Sequence, residues 1–98
     1  MIDPRHLENV RRIVLEGLGD RPAKLFLFGS HARGDARSGS DIDVAVLPVE
    51  PVPASVLARI REALEESRVP YQVDLVDLAR AEEDFVKSAL REAIPWTV

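Results

Sequence analysis

The sequence predicts a small α/β domain, a β-sheet with helices packed on it. Three observations point there. Apolar residues recur at helical spacing in some segments and as short unbroken runs in others, proline and glycine punctuate the runs, and the order reads α-β-α-β-α-β-α. A length of 98 residues suits one domain over residues 1–98, with a real but thin core in two or three layers.

The elements follow in order. Asp3-Pro4 places a capping residue before a proline suited to the first helical position. Leu7, Val10, Val14 and Leu18 then recur as a helical stripe that Gly19 ends. Residues 24–28, KLFLF, read as a buried strand, and Ser30 to Asp35 as a short helix with Gly34 near its end. Residues 42–47, IDVAVL, form the second strand, which Pro48, Pro51 and Pro53 prevent from continuing. Leu57, Ile60 and Leu64 make the stripe of a helix at about 54–67, with Ser55 as its candidate cap and Pro70 beyond its end. Residues 71–76, YQVDLV, form the third strand. A last helix over 82–93 is expected to turn Phe85, Ala89 and Leu90 inward. The tail, Pro95-Trp96-Thr97-Val98, is expected to be extended, either as an added edge strand or docked on a partner.

Composition narrows the function classes. Hydrophobic residues at 46% and charged residues at 31% fit a folded chain rather than a disordered one. The net charge of -4 gives no support to general nucleic-acid binding, although local basic clusters can still hold phosphates. Without cysteine there is no disulfide and no thiolate zinc site. No apolar run approaches the ~20 residues of a membrane span. The polar start, MIDPRHLENV, does not read as a signal peptide, so a cytoplasmic location is expected.

The chemistry concentrates in FLFGSHARGDARSGSDID, residues 26–43. Asp41 and Asp43 stand two apart at the start of a strand, so both carboxylates point to one face. Like charges that close repel unless a cation lies between them, and Mg²⁺ takes one or two carboxylates together with substrate phosphates. Asp74 lies between Val73 and Leu75 in the third strand, where an unpartnered acid is costly to bury. If the second and third strands are neighbours, Asp74 joins the first two acids, and three carboxylates on one face suit a two-metal site. Gly29-Ser30, between a strand and a helix start, offers backbone N–H groups and a hydroxyl to a phosphate. Arg33 and Arg37 follow and can neutralise phosphate charge. Gly-Ser, ten residues and Asp-x-Asp is expected by chance on the order of once in a thousand chains this short.

Simpler readings compete at several positions. Ser30 is also a natural N-cap, Arg37 a surface ion-pair residue and His31 a loop residue. Asp77 suits a cap or turn after the third strand, Tyr71 suits packing at a strand start, and His6 suits an exposed helix face. Trp96 either closes the core or anchors a partner.

The stretch GSHARGDARSGSDIDVAVL, with Asp74 in YQVDLVDL, resembles the minimal nucleotidyltransferases of the DNA polymerase β-type superfamily, in particular the antitoxin halves of HEPN–MNT toxin–antitoxin pairs. The resemblance runs from about residue 10 to 96. It implies the polymerase β-type nucleotidyltransferase fold with a small mixed sheet, and transfer of AMP from ATP with two Mg²⁺ ions. It also implies that Gly29 and Ser30 hold the triphosphate, that Asp41 and Asp43 bind the metals, and that Asp74 is the third carboxylate. In antitoxins of this kind the acceptor is a tyrosine of the HEPN toxin. A chain ending at residue 98 is expected to lack an acceptor domain, so a HEPN-family partner or a second copy is expected to supply that site. Two other functions stay open at this point: a non-catalytic nucleotide-binding module that neutralises its partner by covering it, and a transferase for a small molecule held by a partner chain.

Overall fold

The computed structural model describes residues 4–29 and 41–96. Helix α1 spans Pro4–Leu18, strand β1 Ala23–Phe28, β2 Ile42–Pro48, helix α2 Ala54–Glu66, β3 Val73–Asp77, helix α3 Glu83–Glu92 and β4 Ile94–Pro95. The sheet order is β3-β2-β1-β4. β1 runs antiparallel to β2 and β4, while β2 and β3 are parallel, so the sheet is mixed.

The period-2 pattern of the strands sorts the two faces. Leu25 and Leu27 of β1, Ile42, Val44 and Val46 of β2, and Leu75 of β3 share one face and are buried. The stripe Val10, Val14 and Leu18 of α1 and the stripe Leu57, Ile60 and Leu64 of α2 pack onto it in one cluster. Each such side chain taken fully from water contributes about 1.5–3 kcal/mol. The opposite face carries Phe26 and Phe28 of β1, Asp43 and Ala45 of β2, and Asp74 and Val76 of β3. Helix α3 reaches this second face, where Phe85 meets Phe28 edge to face with ring centroids 6.2 Å apart. No helix among the described residues is long and apolar enough to cross a membrane.

Several expectations need correction. β3 begins at Val73 rather than at residue 71, because Val73 is the first partner of Ile42. Tyr71 instead packs against the core, its ring edge-on to His6, which is half-buried rather than exposed. Ser55 does not cap α2: Pro53 is the N-cap residue, and its carbonyl accepts from Val56 at 3.0 Å. The fixed φ of Pro53 turns the chain into the helix before Ser55 is reached. Phe85 and Leu90 are not buried as expected: Phe85 turns to Phe28 of the sheet but stays 41% exposed, Leu90 is 37% exposed, and Ala89 is the buried residue of α3. Among the described residues α3 is the one helix on the second face, and with the sheet on one side of it Phe85 and Leu90 keep part of their surface in water. Asp3 and the short helix expected at 30–35 lie outside the described residues.

The tail forms a short edge strand, as one of its two readings anticipated. Ile94 pairs with Leu27 and Pro95 with Phe26, and the Trp96 N–H donates to the Leu25 carbonyl at 2.8 Å. Trp96 packs against the core, and its own carbonyl accepts from Arg11 Nε at 2.8 Å, which ties the tail to α1. Nearby, Val49 is largely exposed, whereas Val52 is buried.

One contact fixes how closely α1 and α2 approach. A Cβ built on Gly17 overlaps Cγ1 of Ile60. Gly17→Ala gains up to ~1 kcal/mol of helix propensity, but overpacking costs ~1–3 kcal/mol. A net stability loss of about 1–2 kcal/mol is expected in urea melts.

Candidate active site

The site forms where three strand ends meet on the second face. β1 stops at Phe28, and Gly29 turns away with φ +74°, in the left-handed region that side chains disfavour. A Cβ on Gly29 would overlap Oδ2 of Asp43. The glycine backbone therefore lies against the Asp43 carboxylate, which is possible only without a side chain.

Register does the rest. Phe28 pairs with Asp43, and Asp43 pairs with Asp74, so these three side chains form one row across the sheet. Asp43 is half-buried and Asp74 exposed. Asp41 is exposed immediately before β2, two residues from Asp43. The geometry thus puts Gly29, Asp43 and Asp74 together, with Asp41 at the strand entry. Ser30, Arg33, Arg37 and His31 lie outside the described residues.

Carboxylates side by side on neighbouring strands destabilise the pair unless something offsets their charge. The donors are hard oxygens with no histidine or cysteine among them, a set suited to Mg²⁺. Among the described residues no group of three or more acids or histidines gathers tightly enough to hold an ion unaided. The arrangement therefore fits Mg²⁺ held by one or two carboxylates, with substrate phosphates completing the shell.

An open cavity of about 510 Å³ adjoins the row, lined by Phe28, Asp43, Asp74, Val76, Phe85 and Arg61 among others. Arg61 of α2 leans over the edge of β3 and donates from Nη2 to the Leu75 carbonyl at 3.0 Å. Sequence reasoning did not single out Phe28, Phe85 or Arg61 for the site. Phe28 had a signal, since it directly precedes Gly29 in the strand. Arg61 had none, because an arginine next to a buried isoleucine on a helix usually only solvates it.

Asp77 belongs elsewhere. It is buried on the core side, where Oδ1 accepts the Ala79 N–H at 2.9 Å, and Oδ2 lies 3.4 Å from Arg80 Nε without hydrogen-bond alignment. This is the turn-forming use of an aspartate. Asp77→Asn keeps the oxygen acceptor, so any transferase activity should stay within about threefold of wild type, under ~0.7 kcal/mol of barrier. A loss above tenfold in a steady-state assay would place Asp77 in the site.

Residues 14–95 match the family model described as Polymerase beta, Nucleotidyltransferase. Over 61 residues the chain is 41% identical to the probable protein adenylyltransferase MntA of Haemophilus influenzae, covering 62% of this chain and 54% of that protein. The chain thus spans about half the length of this curated relative. A solved minimal nucleotidyltransferase superposes with TM-score 0.73 at 34% identity, over 97% of both chains. A toxin–antitoxin crystal structure with AMP-PNP superposes with TM-score 0.75 at 27% identity, over 93% of this chain and 73% of that one.

Proposed function

We propose, from the premise that this chain belongs to the polymerase β nucleotidyltransferase family, that it transfers AMP from ATP to a tyrosine hydroxyl of a HEPN-family helical protein and so acts as that protein's antitoxin. The observation that carries the reading is the row Phe28, Asp43 and Asp74, two neighbouring carboxylates on an open face, with the positive-φ turn of Gly29 lying against the first of them. The relatives support it: one is named a protein adenylyltransferase, and another is a toxin–antitoxin pair with an ATP analogue.

In this mechanism the N–H groups that follow Gly29 and the Ser30 hydroxyl hold the triphosphate, with Arg33 and Arg37 neutralising its outer charge. Asp41, Asp43 and Asp74 would hold Mg²⁺ together with the substrate phosphates, and the metal would supply positive charge to the reacting phosphate. Asp74, the most open of the pair on the sheet, accepts the proton of the acceptor hydroxyl. The hydroxyl oxygen bonds to the α-phosphorus, the bond from that phosphorus to the β-bridging oxygen breaks, and pyrophosphate leaves with the electron pair. The acceptor keeps the AMP, and the proton passes from Asp74 to water.

The test is label partition. The purified chain, a HEPN-family acceptor protein and Mg²⁺ are incubated with ATP labelled at the α- or the γ-phosphate. Label on the acceptor from the α-position alone is expected. Label from the γ-position would make the chain a phosphotransferase, and no label in a formed complex would leave it a binding module.

A further inference from the structure

The two edges of the sheet are built differently. β4 guards one edge with two residues ending at Pro95, which has no N–H to offer. β3 forms the other edge with five residues and no proline.

Parallel pairing decides where the peptide groups of β3 point. The Ile42 N–H donates to the Gln72 carbonyl at 2.8 Å and the Leu78 N–H to the Val46 carbonyl at 2.9 Å. With Ile42 opposite Val73, the even-numbered residues 72–78 turn their peptide groups to β2. Val73, Leu75 and Asp77 turn theirs outward. The Asp77 carbonyl is taken by the Arg80 N–H and the Leu75 carbonyl by Arg61. Among the described residues, both groups of Val73 and the N–H of Leu75 have no partner.

A trough runs beside this edge. Three cavities of about 400, 510 and 320 Å³ follow the strand from Tyr71 to Arg80. The middle one shares Glu65 with the first and Arg61 with the last, and it opens onto Asp43 and Asp74.

We propose that this edge receives an extended segment of the acceptor protein as a fifth strand, and that the segment's residue beside Asp74 carries the hydroxyl to be modified. The inference rests on the transferase reading above. The outward groups left without a partner, both of Val73 and the N–H of Leu75, stand two residues apart, the spacing at which an extended polypeptide presents its own peptide groups, whereas a nucleotide or a sugar has no such spacing. A strand added to β3 places a same-face side chain with its Cβ about 4.5–5.5 Å from that of Asp74. The chain that docks at β3 is then the chain whose hydroxyl meets the site.

Val73→Pro tests this, because it deletes an outward N–H and leaves the β2–β3 ladder intact. With the HEPN-family protein as acceptor, its KM should rise ~10-fold or more while the KM for ATP stays within about twofold. Hydrogen exchange on the wild-type chain gives a second reading that does not depend on the variant folding. The Val73 and Leu75 amides should exchange fast alone and at least ~10-fold more slowly when the acceptor protein is added. Unprotected amides in a complex that transfers AMP would overturn the proposal, and so would protection that follows this chain's own concentration, which would assign the edge to a second copy. Absence of transfer by the wild type refutes the transferase reading instead, and exchange in the complex still decides what the edge binds.

Discussion

Asp41→Asn with Asp43→Asn is expected to lower AMP transfer by at least ~10³-fold. Neutral amides withdraw two anionic oxygens from a site that must hold cations, and charge stabilisation of this kind contributes several kcal/mol at ~1.4 kcal/mol per tenfold. The fold should survive. Ile42 and Val44, on the other face of the same strand, are fully buried and keep their packing, while Asp41 and Asp43 line the open side. Rates of AMP incorporation should therefore collapse while the thermal melt stays cooperative. A double variant that still transfers AMP at a tenth of the wild-type rate would remove these carboxylates from the mechanism.

Gly29→Ala should be nearly as damaging for a different reason. Its φ of +74° costs a residue with a side chain about 1–2 kcal/mol, and the new Cβ overlaps the Asp43 carboxylate. Either the turn opens or Asp43 swings away, and a displacement of ~1 Å at a reacting centre costs on the order of 10²-fold. Stability is expected to fall by ~1–2 kcal/mol and transfer by ~10²-fold at temperatures where the variant remains folded. A variant with the stability loss and full activity would show that the Gly29–Asp43 contact serves only the fold.

Much of this was legible in the sequence, because burial patterns are periodic. The stripes Val10, Val14, Leu18 and Leu57, Ile60, Leu64 gave two helices, and the alternation through IDVAVL separated Asp43 from Val44. Spacing alone paired Gly29 with Asp41 and Asp43. What pattern does not carry is which strand lies beside which. In VDLVD the two aspartates are three residues apart and face opposite sides of the strand, so one must turn to the core and the other to the open face. Only the pairing of Asp43 with Asp74 says which is which. Phe85 and Leu90 fit the helical stripe of α3, but their exposure depends on how little of the sheet that helix covers. Arg61 reaches the edge of β3 through a tertiary crossing that leaves no local mark. Family resemblance supplied the expected chemistry, and the register supplied the row of side chains that could perform it.

The most direct test of the central claim is intact-protein mass spectrometry of the HEPN-family acceptor after incubation with this chain, ATP and Mg²⁺, beside the Asp41→Asn, Asp43→Asn variant. The account predicts a mass gain of one or more AMP units with the wild type and none with the variant. An unmodified acceptor in a complex that forms and binds ATP, or a variant that neutralises the partner in cells as well as the wild type does, would contradict it.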